Sequence, residues 1–147
     1  NFNAPYGKPN LTQFWNNWHM TLTQWIRAYA FNPLTRSLRS WKKPLPIPVI
    51  ILLTQLVTMI LIGLWHGVTW NFALWGLWHA IGLFVHNRWS EWTKARFTAL
   101  SPRWQSVLNT GGALLTFHYV TLGWVFFALP DLSTSWQVFL KLFGGAA

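Results

Sequence analysis

The chain has 147 residues, of which 52% are hydrophobic and only 9% are charged, and its formal net charge is +9. Soluble domains carry about 25% charged residues, so this deficit predicts a membrane or a large partner surface as the environment. The absence of cysteine excludes disulfides, thiolate catalysis and cysteine-ligated metals. The length suits a single domain over 1–147.

The first 46 residues predict an interfacial or re-entrant helical segment that leads into a basic loop. Thr12 is the predicted helix N-cap, and apolar side chains then recur at three- and four-residue steps. They are Phe14, Trp15, Trp18, Leu22, Trp25, Ile26 and Tyr29. Such a tryptophan-rich amphipathic segment is typical of helices at a membrane interface. Pro33 is expected to end it, before a basic, proline-stiffened loop that includes 36–43.

Residues 47–87 predict a two-pass membrane unit that is broken at Trp65-His66-Gly67. The stretch contains no Asp, Glu, Lys or Arg. A first span over 47–65 would reach ~28 Å, close to the ~30 Å thickness of the hydrocarbon core. A second span is predicted over about 68–86. Histidine in such a stretch is costly unless it has a partner or a function, so His66 is the first candidate functional residue.

The remainder predicts one more membrane helix and a tail. A second basic loop is expected over 88–106, and a third span over 107–129. Residues 131–147 predict an amphipathic helix that is capped by Ser133 or Thr134. The predicted fold class is therefore all-α and integral to the membrane. It has about three transmembrane helices, an interfacial or re-entrant segment before them and an amphipathic helix after them.

The distribution of basic residues predicts the orientation. The positive-inside rule places the basic loops 36–43 and 88–103 on the cytoplasmic side. An even number of crossings must then lie between them, and the two passes on either side of His66 satisfy this requirement. Nucleic acid is not expected as a partner, because the basic residues bracket apolar spans and do not line one surface.

Several motifs resemble those of the membrane-bound O-acyltransferases. The sequence NFNAPY at 1–6 precedes FWNNWHMTL at 14–22, which is followed by GLWHG at 63–67 and WGLWH at 75–79. The sequence GWVFF at 123–127 is similar to the closing signature of that family. The branch indicated comprises bacterial enzymes that O-acetylate alginate-type polysaccharides, together with enzymes that pass D-alanine to teichoic acids. The resemblance covers nearly the whole chain but only the C-terminal part of a family member.

The resemblance implies a set of site residues. His66 matches the central histidine of the family, which is taken as the catalytic base. His19 matches the second catalytic histidine, on the re-entrant segment. His79 matches a recurrent histidine with a supporting role. Four further residues are supporting candidates: Arg27, Trp65, Trp70 and Asn71.

Acyl transfer to a hydroxyl requires a base for the hydroxyl proton and a hydrogen-bond donor for the carbonyl oxygen. An imidazole away from water is favoured in its neutral form, which is the form that accepts a proton. His66 therefore suits the role of base without a neighbouring carboxylate. With no cysteine in the chain and no serine inside a predicted span, we expect direct attack of the acceptor hydroxyl on the donor, without a covalent acyl-enzyme.

The implied partners are membrane lipid, an acyl-CoA or acyl-carrier donor, a hydroxyl acceptor on a glycan, and other membrane protein subunits. No cofactor and no metal are expected. The implied location is the bacterial cytoplasmic membrane.

Two other functions fit the same residues. One is a non-catalytic structural subunit of a larger membrane complex, derived from an acyltransferase, because three spans could hardly enclose a tunnel alone. The other is a haem-binding membrane protein whose axial ligands come from different spans, for example His79 and His118.

Overall fold

The computed structural model describes residues 1–96 and 101–145, and all regular secondary structure in these ranges is helical. The α-helices are α1 (Leu11–Asn17), α2 (Met20–Ile26), α3 (Asn32–Arg39), α4 (Ile47–His66), α5 (Trp70–Arg96), α6 (Pro102–Ala128) and α7 (Leu132–Leu142). A 3-10 turn at Pro5–Gly7 precedes α1, and a π-helical turn at Arg27–Phe31 joins α2 to α3. The prediction of an all-α fold is confirmed.

The N-terminal helices form a hairpin that turns at Trp18 and His19. His19 has a φ of 44°, in the left-handed region, and this residue separates α1 from α2. Across the hairpin, the Arg27 guanidinium donates to Asn16 Oδ1 at 3.0 Å. His19 at this turn contacts Trp65 at the end of α4, whereas Thr12 in α1 bonds His86 in α5.

Two predicted boundaries in this hairpin are wrong. The cap of α1 is Asn10 and not Thr12, because the Asn10 side chain accepts a hydrogen bond from the backbone N–H of Gln13 at 2.9 Å. Pro33 lies in the first turn of α3 and does not end a helix. The backbone stays helical from α2 through the π-helical turn into α3, so the chain continues through this proline directly after that irregular turn. The predicted loop over 36–43 is consequently helical in its first half.

Helices α4 and α5 form an antiparallel pair that packs through glycine. A Cβ added at Gly76 would lie 2.5 Å from the carbonyl oxygen of Met59 and 2.8 Å from Ile60 Cα. A Cβ added at Gly63 would overlap the carbonyl oxygen of Phe72. Small residues at a helix–helix interface allow such close approach of two backbones. The α4–α5 contact therefore depends on two glycines whose neighbours are backbone atoms.

Helix α6 packs beside α5 through several aromatic contacts, and the Trp78–Tyr119 pair is also joined by hydrogen bonds. The rings of Trp78 and Tyr119 are stacked with their centroids 4.7 Å apart. The Tyr119 hydroxyl donates to the Trp78 carbonyl at 2.5 Å, and the Trp78 indole donates to the Tyr119 carbonyl at 3.0 Å. This reciprocal pair fixes the register of α6 against α5.

Two described helices, α4 and α6, are long and apolar enough to cross a membrane when judged by length and composition alone. Only 28% of the apolar window in α4 and 17% of that in α6 is buried within the protein. Most of the predicted second span, 68–86, lies in α5. This helix is less apolar than α4 and α6 and does not qualify as a membrane span by length and composition. Its tryptophan, histidine and asparagine side chains lower its hydropathy.

The predicted basic loop over 88–106 is wrong at both ends. Helix α5 continues as far as Arg96, and α6 begins at Pro102. An ion pair one helical turn apart, between Arg88 and Glu91 at 2.7 Å, lies on this extension of α5. Most of the remaining residues of the predicted loop lie outside the described ranges.

Helix α7 has a carboxylate cap. Asp131 accepts hydrogen bonds from the Ser133 hydroxyl at 2.6 Å, the Thr134 backbone N–H at 2.8 Å and the Thr134 hydroxyl at 2.9 Å. The prediction that Ser133 or Thr134 caps this helix is wrong, because both hydroxyls donate to the carboxylate that precedes them. The prediction of a helix in the C-terminal tail is confirmed over Leu132–Leu142.

We expect Asp131→Ala to accelerate backbone hydrogen exchange in α7. The bonds from Ser133 and then Thr134 lower the pKa of Asp131 to about 2, below its ordinary value of 3.8. The cap therefore stabilises the folded state fully above the ordinary pKa, and this stabilisation is lost as the pH falls through the lower value. Asp131→Asn keeps an acceptor oxygen and should retain most of the protection near pH 7. Equal exchange rates in the alanine variant and the parent would contradict the assignment.

Candidate functional site

His66 ends α4 and is half-buried in an aromatic cluster. Its ring centroid lies 4.8 Å from those of Trp65 and Phe127, 5.7 Å from that of Trp75 and 5.9 Å from that of Phe72. These rings come from α4, α5 and α6. Within the described ranges the imidazole makes no hydrogen bond to protein, so its nitrogens are available to a substrate.

His19 lies at the tip of the N-terminal hairpin, on the side where α4 ends. The Trp65 ring contacts both histidines, with centroids 5.7 Å from His19 and 4.8 Å from His66, and it stands nearly perpendicular to each. Trp65 is itself 59% exposed. The fold thus joins two imidazoles that lie far apart in the sequence into one open, aromatic-lined site.

The backbone of His19 is unusual. A left-handed conformation at a residue other than glycine is uncommon and costs of order 1–3 kcal/mol. Strain of this kind persists only where the surrounding structure maintains it. The ring of Phe2 packs on His19 with centroids 5.7 Å apart, and Trp65 packs on it from α4. These contacts hold the imidazole at the hairpin tip.

His79 lies behind the site. It is fully buried, and its ring contacts Trp75 at 4.9 Å and Trp15 at 5.1 Å between centroids. Neither of its ring nitrogens has a protein partner among the described residues. Trp75 also contacts His66, so the indole of Trp75 lies between the two histidines as a shared neighbour.

The structure does not bring the other predicted residues to the histidines. Asn71 is buried and donates to the carbonyl of Leu129 at 2.8 Å, which ties the start of α5 to the end of α6. Trp70 is 76% exposed, and within the described residues it has no ring contact with either histidine. Arg27 is exposed and bonds Asn16 within the hairpin.

Sequence reasoning missed several residues that contact the two histidines, among them Asn1 and Phe127. Asn1 Nδ2 lies 3.1 Å from His19 Nδ1, and Phe127 is one of the two rings nearest to His66. Both belong to the motifs that carry the resemblance, so a signal was present. No local spacing rule connects either residue to a histidine in another helix.

The structure gives no support to the haem alternative. His118 is exposed, and its Nδ1 is hydrogen-bonded to the Leu114 carbonyl of its own helix at 2.8 Å, whereas His79 is fully buried. Among the described residues there is no group of three or more potential metal ligands.

Two apolar helices with mostly exposed surfaces, and a pair of histidines that contact aromatic rings, fit a membrane protein with a histidine site. The chain belongs to the membrane-bound O-acyltransferase family, whose model matches residues 4–129. The matched region includes His19, His66 and every ring that contacts His66.

Three relatives illustrate the range of the family. The chain is 34% identical over 145 residues to the peptidoglycan O-acetyltransferase of Helicobacter pylori, covering 98% of this chain and 25% of that protein. It is 32% identical to a probable alginate O-acetylase of Pseudomonas aeruginosa, over 97% of this chain and 24% of the relative. It is 31% identical to the teichoic acid D-alanyltransferase of Bacillus subtilis, over 87% of this chain and 32% of that protein. The chain spans about a quarter of the length of the first two relatives.

Proposed function

We propose that this chain carries the histidine site of a membrane O-acyltransferase. The enzyme would move an acyl group, acetyl in the first instance, from a thioester or carrier-linked donor to a hydroxyl of a cell-envelope polysaccharide. The observation that carries the proposal is the meeting of His66 and His19 at Trp65, inside the region that matches the family.

In the proposed reaction, His66 takes the proton of the acceptor hydroxyl while the hydroxyl oxygen attacks the carbonyl carbon of the donor. His19 contacts the same indole as His66, that of Trp65, and would stabilise the carbonyl oxygen as it becomes negative. The tetrahedral species then collapses, the carbon–sulfur bond of a thioester donor breaks, and the thiolate receives the proton from His66.

We propose further that the chain is one membrane domain of the bacterial cytoplasmic membrane. Its spans would lie over 47–65, 68–86 and 107–129, with the basic segments 36–43 and 88–103 on the cytoplasmic side. The antiparallel packing of α4 on α5 and of α5 on α6 supports this, because it brings both basic segments to one end of the bundle. The N-terminal hairpin would enter from that end and return to it.

A complete substrate tunnel needs more helices than this chain contributes. The chain spans about a quarter of its longer relatives, and most of the apolar surface of α4 and α6 faces outward. We therefore expect other helices, in the same polypeptide or in another subunit, to cover these faces. The partners would be an acyl-CoA or acyl-carrier donor, a glycan hydroxyl and membrane lipid. A non-catalytic subunit of such an assembly is the second candidate, favoured by the same outward-facing surface.

Deletion of the gene should remove one class of ester from the cell envelope. Mild alkali would release acetate and D-alanine from separated peptidoglycan, polysaccharide and teichoic acid fractions, and each would be quantified. We expect one ester in one fraction to disappear and to return when the gene is restored. Unchanged ester contents in all fractions would contradict an acyltransferase function, and the affected fraction identifies the acceptor.

A further inference from the structure

The side chain of Asn1 connects the start of the chain to the hairpin tip. Its Oδ1 accepts from the Thr21 backbone N–H at 2.8 Å and from the Thr21 hydroxyl at 3.0 Å. Its Nδ2 lies 3.1 Å from His19 Nδ1. The backbone carbonyl of Asn1 also accepts from the Met20 N–H at 2.9 Å. Asn1 is therefore held by the N–H and hydroxyl of Thr21, by the N–H of Met20 and by the ring of His19.

This network determines the orientation of the Asn1 amide. The oxygen and nitrogen of an amide are distinguished by their hydrogen-bond partners, since their shapes are nearly identical. A backbone N–H can only donate, so the amide atom that faces Thr21 N must be the oxygen. The amide nitrogen, which can only donate, consequently faces His19.

The orientation of Asn1 in turn determines the tautomer of His19. A ring nitrogen that faces a donor must act as the acceptor, so Nδ1 carries no proton. In the neutral imidazole the proton then resides on Nε2, which becomes the donor of the ring. A histidine held in this way donates a hydrogen bond and does not abstract a proton through Nε2.

We propose that Asn1 is a positioning residue that holds His19 in the Nε2–H tautomer, so that His19 donates to the carbonyl oxygen of the acyl donor while His66 takes the proton. This assignment rests on the proposed acyl transfer. It gives the two histidines different roles on structural grounds: His19 is bonded to an amide donor, whereas His66 is surrounded by aromatic rings. A donor fixed before the reaction begins stabilises the developing oxyanion without reorganisation.

The tautomer can be measured without an activity assay. The full-length protein, labelled with 15N in its histidine rings and reconstituted in lipid bilayers, would be studied by solid-state NMR, with His19 assigned by its loss in His19→Gln. The 15N shift separates protonated from unprotonated ring nitrogen. We expect Nδ1 of His19 to be unprotonated and Nε2 to be protonated. A proton on Nδ1 would overturn the assignment.

Asn1→Asp tests the consequence for catalysis. The carboxylate has nearly the same shape and keeps both bonds from Thr21, but it places an acceptor against Nδ1 and moves the ring proton there. We expect kcat to fall by about 100-fold or more, as for the loss of an oxyanion donor or a wrong tautomer, with little change in KM. The matched control is Asn109→Asp, which makes the same amide-to-carboxylate change at an exposed residue of α6 and should keep the tautomer of His19 and the rate.

The outcomes separate the two proposals. A parent rate in Asn1→Asp with the proton shown on Nδ1 would overturn the role of Asn1 while leaving acyl transfer intact. If the parent protein transfers no acyl group, the proposed function fails, and the NMR spectrum still decides whether Asn1 sets the tautomer. A fall in kcat without a change of tautomer would also overturn the assignment, because the loss would then have another cause.

Discussion

His66→Ala should lower kcat for acyl transfer by about 10²–10⁴-fold, the range for removal of a general base. His66 is the one ring among the five in its cluster that can accept a proton, and it makes no hydrogen bond to the described protein that would occupy either nitrogen. KM should change little, because proton transfer occurs in the transition state and contributes little to ground-state binding. The measurement is the initial rate of acyl transfer to polymer by purified protein in detergent or lipid.

The matched control is His118→Ala. This histidine is exposed on α6 and bonds the carbonyl of Leu114 in its own helix, away from the cluster around His66. The control should keep the parent rate, which would show that loss of an imidazole alone does not inactivate the protein. Retention of the parent rate by His66→Ala would exclude His66 as the base. If deletion of the gene removes an ester that His66→Ala fully restores, the non-catalytic subunit is the better description.

Gly76→Ala should lower the stability of the protein by forcing α4 and α5 apart. The added Cβ would meet the Met59 carbonyl oxygen at 2.5 Å, its carbonyl carbon at 2.9 Å and the Cα of Ile60 at 2.8 Å. Backbone atoms in a helix cannot rotate away as a side chain can, so the two helices must separate. Overpacking of this kind costs about 1–3 kcal/mol, which exceeds the gain of up to about 1 kcal/mol from replacing glycine in a helix.

Gly111→Ala is the control for that helix-propensity gain. Gly111 lies within α6, and nothing lies within 4 Å of a Cβ added there. The melting temperature of the Gly111→Ala protein should equal or exceed that of the parent, whereas that of the Gly76→Ala protein should be lower in the same detergent. Acyl transfer should fall with Gly76→Ala as well, since α4 carries Trp65 and His66 at its end. Equal melting temperatures for the two variants would contradict the close packing of α4 on α5.

Local boundaries were the least predictable part of the fold. The pattern of apolar residues indicates the helix in the hairpin, but Asn10 and Thr12 are both good N-caps by residue type, and only the hydrogen bond to Gln13 distinguishes them. The charges after residue 87 suggested a loop, yet an ion pair between Arg88 and Glu91 is equally compatible with a helix. Pro33 indicates the end of a helix by residue type, yet the helical backbone continues through it after a π-helical turn. In each case one residue type permits two structures, and the neighbouring backbone selects between them.

The sequence by itself predicted a helical protein with three membrane spans, of which α4 and α6 are long and apolar enough to cross a membrane, and it indicated which histidines belong to the family motifs. These properties depend on composition, periodicity and short spacings, which are local. Only the tertiary structure decided that Trp65 contacts both His19 and His66, that His79 lies buried behind Trp75, and that Asn1 bonds His19. The contacts of His19 with Trp65 and Asn1, and that of His66 with Phe127, join residues that are far apart in the sequence. They depend on how closely the helices approach and how each is rotated about its axis, and a local pattern does not specify either quantity.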